Sequence, residues 1–434
     1  MRLNRLTVVT LATLVVGAPQ ITFAQERWEK PKPQVDRVLT APLPLSDFIS
    51  PSREWMIQCQ ARRFPTINEL AQPTLRLAGV RINRRSRALQ EQGRYNDFRL
   101  VRLSDNKEFA LSGLGSQLAS APAWSPDGKR FAVTVIEDEA VRLYVGDVES
   151  RQLKMVPQVA LTQFFGSGWG WLPDSQHFLI HAATPLPTKH LEQVEAQPAG
   201  PAVSQCSGGK ATSTYEVRDV LKGPKDEEFF EAYATSQPTL LDLKTGKSTL
   251  VGKPGIYPSF TSSPDGRHFL VETIHRPYSY LTTHARFPRE VEIWNRLGQL
   301  EKKITSRPLA DKVVSWSVVP GPRSYRWQWN APATVVWCEA VDGGDTRKPA
   351  SERDKIVSWK APFADQPQEI ARLPQRLDDL YWIENDPRTL ITMANPLTHL
   401  HWLAVQDGPG QPLRTLWERN YQDQFADPGE LAEG

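Results

Sequence analysis

One short phrase recurs along this chain and constrains its fold more than any other feature. It reads WSPDGKRFAVTV at 124–135, WLPDSQHFLIHA at 171–182 and SSPDGRHFLVET at 262–273. Proline presets φ for a tight turn, and glycine accepts the positive φ that closes it. The apolar alternation after the turn has the period of two expected of a strand that is buried on one face. Each copy therefore predicts a turn that leads into a β-strand.

Weaker copies of the phrase extend the series along the chain. They are ISPSREWMIQ, RWQWNAPATVVWCEA and DLYWIENDPRTLITM, and the six prolines stand at 51, 126, 173, 264, 332 and 387. The shortest gap between them, 47 residues, is close to the length of about 40 to 50 residues per propeller blade. Between the copies lie second hairpins such as PTLLDLKTGKSTLV and VEIWNRLGQLEKKI. Two hairpins per repeat predict an all-β propeller of four-stranded blades, with about six blades recognisable.

The N-terminus has the composition of a secretory signal. Arg2 and Arg5 precede an apolar run that is too short for a bilayer span of about 20 residues, and small residues follow it. We expect a signal peptide at 1–24, an N-terminal extension at 25–42 and the propeller at 43–434. The mature chain would then be periplasmic or secreted in a bacterium, without a membrane association; an uncleaved anchor is the alternative.

Composition limits the functions that the chain can have. A net charge of +3 over 434 residues gives no general case for binding nucleic acid.

A stretch at about 183–214 is rich in Pro, Gly, Ser and Ala without periodicity, which predicts a flexible insertion in the third blade. The stretch that follows, YEVRDVLKGPKDEEFFEAYATSQ, favours a short helix that ends at Gly223 and Pro224.

Motifs for catalysis or metal binding are not found in the sequence. KTGKST lacks the first glycine of a phosphate loop, and the chain contains no Gly-x-Ser-x-Gly. Cys59, Cys206 and Cys338 form no C-x-x-C pair, so we expect neither a disulfide framework nor a zinc site. His399 and His401 share the spacing of one strand face, but two exposed polar residues explain them as well. We predict no catalytic residue, no metal and no cofactor in this chain.

Several segments resemble the propeller of one peptidase family. FPTINELAQPTLRLAGVRINRRSR, EAYATSQPTLLDLKTGK, ETIHRPYSYLTTHARFPREVEIWNRLG and VVWCEAVDGGD are similar to the glutamyl endopeptidase branch of the prolyl oligopeptidase (S9) serine peptidases. The resemblance implies a seven-bladed propeller that covers an α/β-hydrolase domain, in which the catalytic Ser, Asp and His come late in the chain. The present sequence ends at Gly434 without a nucleophile motif, so we expect an incomplete propeller that is inactive alone.

Three hypotheses follow for the function. The chain is the non-catalytic propeller portion of an exported S9 peptidase, gating or binding peptide substrate. Alternatively, it is a subunit of a split peptidase that is active with a separate hydrolase chain. In the third hypothesis it is a stand-alone propeller that binds acidic peptides. Each hypothesis gives the chain a peptide as a partner. The first two hypotheses add an α/β-hydrolase domain or chain as a second partner.

Two segments supply candidate substrate-binding residues. Nine arginines lie between Arg62 and Arg99 against three acidic residues, and guanidinium groups pair well with the carboxylates of acidic peptides. The candidates in this segment are Arg84, Arg85 and Arg87. In IHRPYSY the candidates are His275, Arg276 and Tyr278. A solvated basic face, a surface that docks a hydrolase domain, or a buried polar network that holds a long loop are the alternatives.

Overall fold

The computed structural model describes residues 31–90, 93–187, 217–313 and 316–429. The chain divides into two compact units, residues 1–42 and 43–434. In the described part of the first unit, helix α1 spans Pro33–Thr40, with proline in its first turn and none of its residues buried. The predicted signal peptide lies outside the described residues. Within the described ranges, no helix has the length and apolar character needed to cross a membrane.

Within the described ranges, the second unit contains six four-stranded antiparallel meanders in chain order, which we number sheets 1 to 6; a short strand pairing joins sheets 3 and 4 into one eight-stranded sheet. Sheet 1 contains β1 Leu45–Ile49, β2 Trp55–Ala61, β5 Tyr95–Arg102 and β6 Lys107–Ala110, with a separate hairpin of β3 Thr74–Leu77 and β4 Val80–Asn83. Sheet 2 contains β7 Ala123–Trp124, β8 Arg130–Ile136, β9 Val141–Asp147 and β10 Gln152–Met155. Sheet 3 contains β11 Trp169–Trp171, β12 His177–Ala183, β13 Thr235–Asp242 and β14 Ser248–Leu250.

The remaining sheets repeat the same plan. Sheet 4 contains β15 Gly255–Ser262, β16 His268–Ile274, β17 Arg289–Asn295 and β18 Leu300–Arg307. Sheet 5 contains β19 Pro322–Trp327, β20 Thr334–Ala340, β21 Asp354–Lys360 and β22 Gln368–Leu373. Sheet 6 contains β23 Arg376–Trp382, β24 Thr389–Asn395, β25 Leu400–Gln406 and β26 Leu413–Asn420. Serial four-stranded meanders of this kind are β-propeller blades, as the sequence predicts. The seven-bladed plan stays a prediction.

Every copy of the recurring phrase forms the first hairpin of a sheet. In sheet 4, Ser263 Oγ donates to Asp265 Oδ1 at 2.6 Å and accepts from the backbone N–H of His268 at 3.0 Å. Asp265 Oδ1 also accepts from the N–H of Arg267 at 3.1 Å. Sheet 2 repeats these contacts, and Gly128 and Gly266 have φ of +66° and +69°. The recurring phrase in the sequence therefore corresponds to one hydrogen-bonded turn that is found in more than one sheet.

The strands that follow these turns are buried on both faces, not on one as the alternation suggests. In β8, Phe131, Val133 and Val135 pack against sheet 1, while Ala132 packs towards sheet 3. Each of the five junctions between successive sheets has such an apolar cluster. The prediction of half-buried strands was wrong because sheets 2 to 5 each lie between two others, so both faces of their strands are core faces.

Long connections collect at one end of the sheets. Because strand direction alternates in a meander, the second connection of each sheet and the crossing to the next sheet share one end, which we call the loop end. The loop end carries connections 62–94, 184–234, 275–288, 308–321 and 341–353. The opposite end, which we call the turn end, carries the first and third hairpins.

Two short α-helices lie in the described parts of the loop-end connections. Helix α2 spans Ile67–Leu70 and begins with a capping box formed by Thr66 and Glu69. Helix α3 spans Pro224–Ala234. Gly223 and Pro224 therefore begin a helix, whereas the sequence analysis expected them to end one. A proline in the first turn costs no hydrogen bond, and Asp226 and Glu227 favour the positive N-terminal end of the helix dipole. Most of the predicted insertion, residues 188–214, lies outside the described residues, as does Cys206.

Replacing Asp265 with alanine tests the role of the turn. The variant removes the acceptor of Arg267 N–H and of the Ser263 hydroxyl, so we expect the free energy of unfolding to fall by about 1–2 kcal/mol. Urea denaturation followed by tryptophan fluorescence measures the loss. Asp138→Ala, in an exposed turn of sheet 2, is the matched control and should change stability by less than about 0.5 kcal/mol. Equal stability of both variants would contradict the role of the turn.

Candidate functional site

Helix α3 is the meeting point of the two segments that the sequence analysis selected. Arg84 lies over the ring of Phe229 and Arg87 over the ring of Tyr233, each at 5.9 Å from guanidinium carbon to ring centroid. The Tyr233 hydroxyl donates to the backbone oxygen of Arg84 at 3.1 Å. Both arginines are almost fully buried, with 8% and 6% of their surface exposed. Burial lowers the pKa of Arg87. These two arginines thus hold the helix in place through its aromatic face.

The IHRPYSY segment reaches the acidic side of the same helix. Arg276 Nε donates to Glu231 Oε1 at 2.7 Å, and its Nη1 contacts Glu227. The Tyr278 hydroxyl donates to Glu231 Oε1 at 3.0 Å. Hydrogen bonds to Glu231 and Glu227 raise the pKa of Arg276, and burial together with Glu231 raises the pKa of Tyr278.

His275 is separated from the other two candidates of this segment. Its Nε2 is 3.4 Å from Glu290 Oε1, on β17, and its Nδ1 contacts the backbone oxygen of Arg276 at 2.7 Å. The structure therefore joins Arg84, Arg87, Arg276 and Tyr278 around α3 and leaves His275 directed to sheet 4. The predicted alternative of a polar network that holds a long loop describes these contacts well.

Most arginines between Arg62 and Arg99 have partners. Arg62 and Arg94 pair with Glu69, Arg81 pairs with Asp219, and Arg99 pairs with Asp97. Arg85 is exposed, and Arg76 has 59% of its side chain exposed, 3.8 Å from Asp219. The predicted basic patch is therefore smaller than the count of arginines suggests, and its exposed members include Arg76 and Arg85.

A cavity of about 460 Å³ opens between sheets 3 and 4, next to the C-terminal end of α3. Its walls come from the first strands of the two sheets, β11 and β15, and from the crossing that precedes β11. Aromatic rings dominate the lining: Phe164, Phe165, Trp169, Trp171, Tyr257 and Phe260. Hydroxyl groups of Ser236, Ser259 and Thr261 supply polar positions. An apolar cleft with a few polar groups is the usual form of a peptide or small-molecule site.

His181 lies in the wall of this cavity. Its Nδ1 lies 3.0 Å from the hydroxyl of Ser236, and its ring meets Phe260 edge to face at 6.0 Å between centroids. Burial lowers the pKa of His181 to about 4. The imidazole is therefore neutral at physiological pH, so it can both donate and accept a hydrogen bond.

The other motifs that the sequence analysis considered have structural roles. KTGKST forms the turn between β13 and β14. His399 contacts the Tyr421 hydroxyl at 2.9 Å and His401 contacts Asp378 at 3.2 Å, so the two histidines serve different partners. Cys59 and Cys338 are buried and both are free thiols. In the described ranges, no group of three or more His, Cys, Asp or Glu side chains has the arrangement of a metal site.

Comparison with curated proteins identifies relatives along almost the whole chain. The chain is 30% identical over 419 residues to a probable chloroplastic glutamyl endopeptidase of Oryza sativa subsp. japonica, and 29% identical over 420 residues to the one of Arabidopsis thaliana. Both matches cover 92% of this chain. Along these residues the chain is similar to a part of the glutamyl endopeptidases, and it spans 44% and 43% of the length of the two relatives. No protein-family model matches it.

Solved structures give weaker likenesses to the propeller region. The β-propeller domain of the Trilobed protease from Pyrococcus furiosus is 12% identical with a TM-score of 0.41, covering 86% of this chain and 84% of that chain. A structure from a study of two prolyl endopeptidases is 14% identical with a TM-score of 0.44, covering 80% and 42%.

Sequence reasoning missed helix α3 and the aromatic cavity. The signal for the helix was present, since Gly-Pro followed by acidic residues is a typical helix start. The cavity had no local signal, because its walls belong to strands that are about 90 residues apart and approach only when sheets 3 and 4 pack together.

The buried histidine predicts a pH dependence of stability. Because the pKa of His181 is about 4 in the folded state, below its unfolded value, the unfolded state binds more protons as pH falls below about 6.5. We expect a loss on the order of 2 kcal/mol between pH 7 and pH 5 from this residue. His181→Gln should reduce this slope in urea denaturation without abolishing it, because burial also lowers the pKa of His284 to about 4, whereas His399→Gln, at a half-exposed site, should leave the slope unchanged. A wild-type slope in His181→Gln would contradict this assignment.

Proposed function

We propose that this chain is the propeller of an exported S9, glutamyl endopeptidase-like peptidase, where it binds peptide segments and controls their access to an α/β-hydrolase domain. The observation that supports this best is the convergence at the loop end. The arginine segment, α3 and the segment 275–280 meet there, beside the aromatic cavity. The similarity to glutamyl endopeptidases supports the same assignment.

The chemistry of the loop end favours acidic peptides as ligands. Arg76 and Arg85 carry exposed guanidinium groups on the connection between β2 and β5, and a guanidinium forms two parallel hydrogen bonds with a carboxylate. The cavity next to α3 offers rings on which apolar or aromatic side chains of the same peptide can pack. The proposed ligand is therefore an extended peptide that has acidic side chains and at least one apolar side chain.

The stand-alone acidic-peptide binder is the second candidate function. It uses the same residues, so peptide binding alone does not separate it from the peptidase propeller. The two differ in whether a hydrolase domain works beside the loop end.

Peptide binding is tested by fluorescence anisotropy with a labelled Glu-rich peptide. We expect Arg76→Gln with Arg85→Gln to weaken binding by about tenfold, since each lost charged hydrogen bond costs about 1.5–3 kcal/mol when desolvated and less when exposed. Affinity should also fall as salt rises, because exposed pairs are screened over about 8 Å at physiological ionic strength. Arg53→Gln with Arg267→Gln makes the same change in net charge at the turn end. Equal weakening by both pairs, or equal binding of a Gln-rich peptide, would contradict the assignment.

The hydrolase partner is tested in the source genome. We expect the DNA downstream of codon 434, in any phase, to encode an α/β-hydrolase domain with Gly-x-Ser-x-Gly, followed by the Asp and His of a triad. Sequencing that region provides the measurement. A neighbourhood without such a reading frame would favour the stand-alone binder over the peptidase propeller.

A further inference from the structure

A second group of arginines lies at the loop end, between sheets 4 and 5. We name Arg289, Arg307 and Arg323 the arginine cluster. Arg289 on β17 and Arg307 on β18 are direct cross-strand partners, and Arg323 lies in β19, the first strand of the next sheet. Like charges directly opposite on neighbouring strands repel each other, so this register is unfavourable unless negative charge compensates it.

Two members of the cluster have carboxylate partners. Arg289 donates to Glu272 at 2.8 Å and to the backbone oxygen of His284 at 2.6 Å. Arg323 contacts Asp354 through Nη2. Asp354 is shared, because its other oxygen accepts from Arg376 at 2.8 Å. The negative charge near the cluster is therefore already divided among several arginines.

Arg307 is the member without a partner. Among the described residues, no hydrogen bond or ion pair engages its guanidinium, and its Nε is buried. Nη1 of Arg323 is likewise buried without a hydrogen bond. Burial, Arg289 and Arg323 lower the pKa of Arg307. Arg307 is half-buried, and a partly desolvated cation without a hydrogen-bonded counter-charge favours an added anion.

We propose that Arg307 and Arg323 form a binding site for the carboxylate of an acidic side chain in the peptide ligand. A guanidinium has planar N–H donors that match a carboxylate, and both arginines have N–H groups that are not yet used. The site lies on the loop end, where connection 308–321 links the two strands. The identity of the ligand rests on the proposed function, whereas the affinity for a carboxylate rests on the arginine cluster.

Thermal denaturation with glutarate tests the site, because glutarate carries the carboxylate of a glutamate side chain. At constant ionic strength, we expect glutarate to raise the melting temperature of the wild type and of Arg267→Gln, an exposed arginine at the turn end. Arg307→Gln should lose this response, and the apparent affinity for glutarate should fall about tenfold or more. Arg307→Lys keeps the positive charge but not the planar N–H donors of the guanidinium group, so this variant should retain only part of the response to glutarate.

Stability without glutarate separates binding from folding. Since Arg307 has no partner to lose, Arg307→Gln should be at least as stable as the wild type in the absence of anions. A lower melting temperature for that variant, or an unchanged response to glutarate, would overturn the site. The absence of any glutarate response in the wild type would overturn it as well.

The two proposals fail in different ways. If glutarate stabilises the wild type through Arg307 but the Glu-rich peptide does not bind, the carboxylate site stands and the proposed function is wrong. If the peptide binds equally to the wild type and Arg307→Gln, the proposed function stands and this site is wrong.

Discussion

In sheets 2, 3 and 4, the aspartate of the first hairpin helps to close its own turn and also contacts the next sheet. Asp265 Oδ1 closes its own turn, while its backbone N–H donates to Pro332 in sheet 5 at 2.9 Å. Asp127 donates its N–H to Ser175 in sheet 3 at 3.0 Å, and Asp174 accepts from Arg296 in sheet 4 at 3.1 Å. One polar position thus sets the spacing of successive sheets at the turn end. The apolar clusters between the sheets depend on this spacing, because close packing tolerates little displacement.

This constraint leaves the loop end free to vary. Connections there range from the short crossing 374–375 to the long segment 184–234, while the first hairpins keep almost constant length. Long connections then pack on one another, and the aromatic face of α3 fills the space between the first, third and fourth sheets. The fold therefore separates a repeated, rigid end from a varied end, and recognition is usually found on the varied end of such a scaffold.

The repeat was predictable because its information is local. Six copies of a turn followed by alternating residues indicate six first hairpins, and all six occur where expected. Burial on both faces was not predictable from alternation, since the second face is covered by a sheet that is distant in sequence. The candidate site was predictable only in part. Arg84, Arg87, Arg276 and Tyr278 all contact α3, but the sequence could not show that this helix lies between the two pairs or that Arg307 lacks a partner.

Hydrogen–deuterium exchange, measured with and without a saturating Glu-rich peptide, tests most directly the claim that ligand binding belongs to the loop end. We expect added protection in connections 62–94, 275–288 and 308–321 and in helix α3, with no change in the first hairpins of the sheets. Protection that appears instead at hairpins 125–129 and 263–267 would contradict ligand binding at the loop end.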